Sequence, residues 1–168
     1  MIQIRDATVD DAEEIASILN PIIDARIYTA LDTPVTVEQE REFIRRFPER
    51  GIFHVAVGGS EGKVVGFQDV EPFATFTHAF DHVGVIGTYV NLGLHRQGIA
   101  AQLFAATFAA ARRKGYEKLF SYVRADNEAG LKAYRKQGFR VIGTAERHAC
   151  IDGRYFDEIL IERLLTYN

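Results

Sequence analysis

The chain has 168 residues, 47% of them hydrophobic and 26% charged, and its 20 basic against 23 acidic side chains give a formal charge of −3. That balance leaves no electrostatic footprint for nucleic acid or anionic lipid, and a single cysteine, Cys150, excludes an internal disulfide framework and a Cys-rich zinc site. The length suits one domain that buries about 70% of its unfolded surface. Arg5 and Asp6 put charges where a secretory signal is apolar. The longest nearly apolar run, residues 103–111, is too short to span a bilayer. The expectation is a soluble, cytoplasmic, single globular domain with no membrane or nucleic-acid partner and no metal.

Residues 2–4 read as a short strand, and Thr8 as a helix N-cap followed by Asp10, Asp11, Glu13 and Glu14 in the first turn. Ile15, Ile18, Leu19, Ile22 and Ile23 recur at helical spacing, with Pro21 expected to kink or break the helix. After a loop at 28–34, Thr36 caps a second helix reaching about residue 47. Residues 52–57 and 64–70 are strands joined by a glycine-rich hairpin turn. Residues 82–92 form a β-branched strand whose glycines, 84 and 87, predict a bulge or a close backbone approach. A helix over 98–114 has its basic residues at its C-terminal end, where the dipole favours them. A strand at 119–123, a helix at 127–137 stopped by Gly138, and strands at 140–146 and 155–164 complete the series. This order describes an α+β domain around a mixed sheet.

Two segments carry chemistry. In Y-V-N-L-G-L-H-R-Q-G-I-A-A, residues 89–101, a strand runs through a basic loop and a glycine into a helix. Exposed amides at a helix start, with the macrodipole behind them, form an anion site, and Gly98 lets a phosphate approach the backbone. Gly93 and Gly98 have P-loop spacing, but Ile99 and Ala100 follow where that motif needs Lys and Ser or Thr, so a nucleotide hydrolase is disfavoured. No G-x-G-x-x-G follows a strand, which argues against a dinucleotide fold. In the second segment Asn127 opens a helix, Tyr134 lies on it and Gly138-Phe139 closes it.

Together, H-R-Q-G-I-A and this N…Y…G-F arrangement resemble the GCN5-related N-acetyltransferase (GNAT) superfamily. Residues 20–34 with Gly153-Arg154-Tyr155 are closest to its phosphinothricin N-acetyltransferase-like subgroup. The resemblance implies a mixed, mostly antiparallel sheet flanked by helices, with a splayed and bulged central strand. It implies acetyl-CoA as co-substrate, its pyrophosphate on the amides of Gln97, Gly98, Ile99, Ala100 and Ala101 near Arg96. The pantetheine arm then pairs with backbone at Val90 and Leu92, and Asn127 contacts the cofactor besides capping its helix. Tyr134 takes the role of general acid toward the departing thiolate, against the plain alternative of a core aromatic. A homodimer is a further implication.

Two positions depart from the family pattern. His95 stands where Gln or Arg is usual, and Val85 stands where the subgroup commonly has a Glu on the central strand. The base that frees the amine, or a water chain, must come from elsewhere; Asp69, Glu71, His78, Asp81 and His82 are the nearby candidates, each read first as a solvated residue. Glu71, Phe73, Phe76 and Tyr89 are assigned to the acceptor pocket. With no Lys or Arg between Lys63 and Arg96, that wall offers an anion no anchor. The reading is acetyl transfer to a small primary amine by direct attack. The alternatives are a non-catalytic acyl-CoA-binding domain, and acetylation of proteins or peptides. Cys150, expected as a buried inert thiol, supports no covalent route.

Overall fold

The computed structural model describes residues 1–165. In chain order the elements are β1 (Gln3–Asp6), α1 (Ala12–Asp24), α2 (Val37–Arg45), β2 (Ile52–Gly58), β3 (Lys63–Pro72), β4 (Val83–Val90), α3 (Ile99–Arg113), β5 (Lys118–Arg124), α4 (Glu128–Lys136), β6 (Arg140–Ile151) and β7 (Arg154–Leu164). The strands form one seven-stranded sheet in the order β1-β2-β3-β4-β5-β7-β6. Every pairing is antiparallel except β4 with β5. No helix among the described residues is long and apolar enough to cross a membrane.

Side chains alternate across each strand, so the sheet has two apolar faces and helices cover both. Phe53, Val55 and Phe67 pack under Ile15, Ile18, Leu19, Ile22 and Ile23 of α1. On the other face Val70, Ile86, Leu119 and Ile161 meet Phe104 and Phe108 of α3 together with Tyr134 and Phe139. A reciprocal capping box between Thr36 and Gln39 starts α2. At the head of α1, Asp11 accepts from the Thr8 amide and from both terminal nitrogens of Arg5.

Three local expectations need correction. α1 runs through Pro21 to Asp24 without a break, because Pro21 falls in the last turn on the exposed side and removes only one helical bond. β6 extends to Ile151, well beyond residue 146, through register shifts after Val141 and after Ala145. The expected bulge is absent from the β3/β4 ladder, which runs unbroken from Gly66↔Val90 to Pro72↔Gly84.

The splay lies on the other side of β4. Pairing with β5 covers Val83↔Lys118, Gly84↔Leu119 and Val85↔Phe120 and then stops. Just beyond the last rung, the buried Ser121 hydroxyl donates to the Ile86 carbonyl at 2.7 Å, a side chain standing in for the next backbone bond. From there the two strands diverge, and the site is built at the opening.

Candidate active site

A cavity of about 890 Å³ occupies that opening. Residues of both sheet faces reach it: Asp69, Glu71, Val85, Gly87 and Tyr89 from one, Ile86, Thr88, Ser121 and Tyr134 from the other. The loop after α1 contributes Tyr28–Leu31 and α2 contributes Glu40.

Tyr134 is 8% exposed, its ring edge-on to Phe104 and Phe139 at 5.4 and 5.0 Å. Its hydroxyl is hydrogen-bonded to Thr88 Oγ1 at 3.0 Å. Burial raises its pKa to about 12 against the lowering effect of Thr88 and Ser121, so it keeps its proton at neutral pH. It is thus both a core aromatic and a hydroxyl lining the cavity. Tyr89 stacks on Phe67 with 4.7 Å between centroids, and burial pushes its pKa upward too.

The cavity is acidic. Glu40 and Glu158 are 5% and 2% exposed, and burial raises the pKa of both. Glu158 Oε2 is buried without a hydrogen-bond partner. Asp69 and Glu71 are half-buried on β3. The single cation in the lining, Arg124, is committed: its Nε and Nη2 donate to Asp126 at 2.9 and 2.7 Å, and its plane lies over the Phe156 ring.

Beyond the open end of β4, Gly98 adopts φ +77° at the N-terminus of α3 with no atom within 4 Å of where a Cβ would sit. A side chain there is strained by the backbone and would project into the space before the helix. The first helical bond runs from the Gln102 amide to the Gly98 carbonyl at 3.2 Å, which leaves the amides of Ile99, Ala100 and Ala101 without helical partners. Arg96 and Gln97 are exposed beside them, and the α3 dipole favours an anion. Asn127 caps α4 by accepting from the Gly130 amide at 2.9 Å, and the same side chain lines the cavity.

The model of the acetyltransferase (GNAT) family matches residues 18–139. The chain belongs to that family. Phosphinothricin N-acetyltransferase of Streptomyces coelicolor is 25% identical over 166 residues, 98% of this chain and 96% of that one. The crystal structure of ribosomal-protein-alanine N-acetyltransferase from Brucella melitensis superposes with a TM-score of 0.87 at 26% identity, covering 96% of this chain and 99% of that one. A phosphinothricin acetyltransferase from Sinorhizobium meliloti in complex with acetyl-CoA gives 0.88 at 18% identity, covering 97% and 88%, a likeness of fold.

For a GNAT acetyltransferase the donor is acetyl-CoA, and the chain fits it at two points: the free amides after Gly98 suit a pyrophosphate, and the parted strands suit an extended amide arm. Val90 and Leu92 lie between those points, half-buried. Of the residues assigned to the acceptor, Glu71, Phe73 and Tyr89 line the cavity. Phe76 does not: it is 86% exposed on the β3–β4 loop, while Phe73 packs against Phe80 and Phe120. Among the candidate bases, His78 and Asp81 pair with each other at 2.9 Å outside the cavity, and His82 is exposed. Arg26 pairs with Asp152, and neither it nor Arg154 lines the cavity. Cys150 is exposed on β6, not buried, because it sits on a strand with one free edge.

Sequence reading missed Glu40, Thr88, Ser121 and Glu158. Glu40 had a signal: it shares a helical face with Val37 and Ile44, which places it inward. Glu158 had none, since which face of β7 turns toward the cavity is decided by pairing with β5.

Proposed function

We propose that this acetyltransferase moves the acetyl group of acetyl-CoA to the primary amine of a small molecule by direct attack in a ternary complex. The observation that carries this reading is the single cavity across the parted strands. It brings a protonated tyrosine hydroxyl and an acid-lined chamber of small-molecule size to one place. Acetyl-CoA supplies a thioester carbonyl. Backbone at Val90 and Leu92, the amides of Gln97–Ala101, Arg96 and Asn127 hold it. Tyr134 gives its proton to the leaving sulfur. Glu71, Phe73 and Tyr89 form the acceptor wall.

The same chamber sets the acceptor class. An α-amino acid or phosphinothricin brings an anion beside the amine, and burying it unpaired costs several kcal/mol. Arg124 is occupied by Asp126, and the other charged residues of the lining are acids. Cationic and apolar amines are therefore the better acceptors. The test is thiol release from acetyl-CoA across a panel of amines, amino acids, phosphinothricin and an N-terminal peptide. Ranking the cationic and apolar amines first by kcat/KM supports the reading. Top rank for the anionic acceptors overturns the acceptor class, and top rank for the peptide overturns the small-molecule reading. Tight acetyl-CoA binding with no thiol release from any acceptor makes the chain an acyl-CoA-binding domain.

A further inference from the structure

An amine at neutral pH is an ammonium ion, and it cannot attack a carbonyl until it loses a proton. Val85, half-buried in the cavity wall, cannot take that proton. One rung away along the same sheet face the ladder pairs Asp69 with Gly87. Gly87 leaves the Asp69 carboxylate room at the cavity wall. A Cβ built on Gly87 would stand 3.1 Å from Asp69 Oδ1 and 3.2 and 3.4 Å from Tyr89 Cε2 and Oη, tighter than neighbours normally allow for the first two. The missing side chain leaves a notch in the sheet, with the carboxylate leaning over it on one side and the Tyr89 hydroxyl on the other.

Asp69 has no ion-pair partner among the described residues. Its surroundings explain its proton affinity. Burial, then the negative charges of Glu71 on its own strand and Glu40 on α2, push its pKa up to about 8, while a hydrogen bond from the Gly87 backbone works the other way. Tyr89 of β4, Tyr134 of α4 and Tyr122 of β5 feel its charge in turn.

Resting on the proposed acetyl transfer, we infer that Asp69 is the general base of the reaction and Gly87 the positioning residue that admits its carboxylate to the acceptor. Asp69 takes one proton from the bound ammonium. The freed nitrogen lone pair forms the bond to the acetyl carbon as the carbon–sulfur pair stays with sulfur. Tyr134 protonates that sulfur, the second nitrogen proton restores Tyr134, and Asp69 releases its proton to water. The products are the amide, the thiol and one proton. A base with a pKa near the working pH combines a useful ionised fraction with real proton affinity. Three acids around the ammonium also draw it to the place where it reacts.

The test is Asp69→Asn, which keeps the shape and removes the basicity. With the best basic amine of the panel, kcat is expected to fall about 10²-fold or more, and the acidic limb of the wild-type pH profile, near pH 8, to disappear. Acetyl-CoA affinity by calorimetry stays unchanged. A weakly basic aromatic amine, already neutral at pH 7, needs no base, and its turnover should fall by less than about tenfold by the same reasoning. Loss of both acceptors alike, a kcat within threefold of wild type, or a limb left in place overturns the inference. Asp69→Glu, which retains a carboxylate, should recover part of the rate, and it carries the test if the Asn variant does not fold; an inactive, folded Glu variant also counts against the inference. If wild-type protein turns over no amine, the acetyl-transfer reading fails instead, so the two failures are distinguishable.

Discussion

Tyr134→Phe separates the two things Tyr134 does. The ring contacts to Phe104 and Phe139 survive the substitution, and only the hydroxyl goes. Thr88 Oγ1 loses a partner at 3.0 Å but keeps the Gln68 amide at 2.8 Å, so no buried oxygen is stranded. The stability cost is therefore that of one ordinary hydrogen bond, about 1 kcal/mol. Losing a proton donor to the leaving sulfur is larger: a 10²-fold fall in kcat, roughly 2.7 kcal/mol of barrier, is the low end for general acid catalysis. Because the Tyr134 pKa lies at about 12, wild-type enzyme keeps its acid through pH 10, and the difference between the two proteins should be flat across that range. The assay is thiol release at saturating acetyl-CoA and amine, with single-turnover runs to confirm that chemistry limits, and calorimetry for the donor. A Phe variant with wild-type single-turnover rate refutes the acid role and leaves Tyr134 as packing alone.

Gly98→Val should abolish measurable acetyl-CoA binding in a folded protein, since φ +77° strains a branched residue and its side chain blocks the amides of Ile99–Ala101; calorimetry decides, and unchanged affinity refutes it. Asp11→Ala should cost about 1.5 kcal/mol in denaturant unfolding at pH 7, discounted because Arg5 is partly exposed. The hydrogen bond from Arg5 holds the Asp11 pKa below its usual 3.8, so this contribution is full above that pH and fades as pH falls through the lower folded value. The gap between wild type and variant should therefore narrow in acid, and a gap as large in acid as at pH 7 counts against the assignment.

Much of the fold could be read locally because its signals are local. Thr36 and Gln39 form their capping box within one turn, and Gly98 declares a left-handed residue ahead of a helix whatever surrounds it. The errors arose where neighbours in space decide. Pro21 does not break α1, because only three residues of helix follow it. Glycines 84 and 87 looked alike in sequence and serve different contacts: one makes room for Val70 and Leu119, the other for Asp69. Asp69 reads in sequence as a solvated strand-end residue, whereas the fold sets Gly87 of β4 opposite it and the charge of Glu40 of α2 near it. The segment from Val90 to Ala101 is contiguous and so stands out in sequence, whereas the cavity wall is gathered from elements far apart in the chain, and Glu71, Phe73 and Tyr89 are the part of it that sequence reading names.

The divergence of β4 from β5 divides the sheet into two blocks, four strands and three, linked within the sheet by three rungs and one serine hydroxyl, while the core under α3 packs against both. A ligand whose amides pair with both blocks becomes part of the sheet, and its concentration enters the folding equilibrium. At a hundredfold excess over its dissociation constant it adds about 2.7 kcal/mol. Without it, β4 and β5 beyond Val85 have no ladder bonds to each other. A donor that pairs in the gap would make the resistance of the protein to unfolding rise with donor concentration.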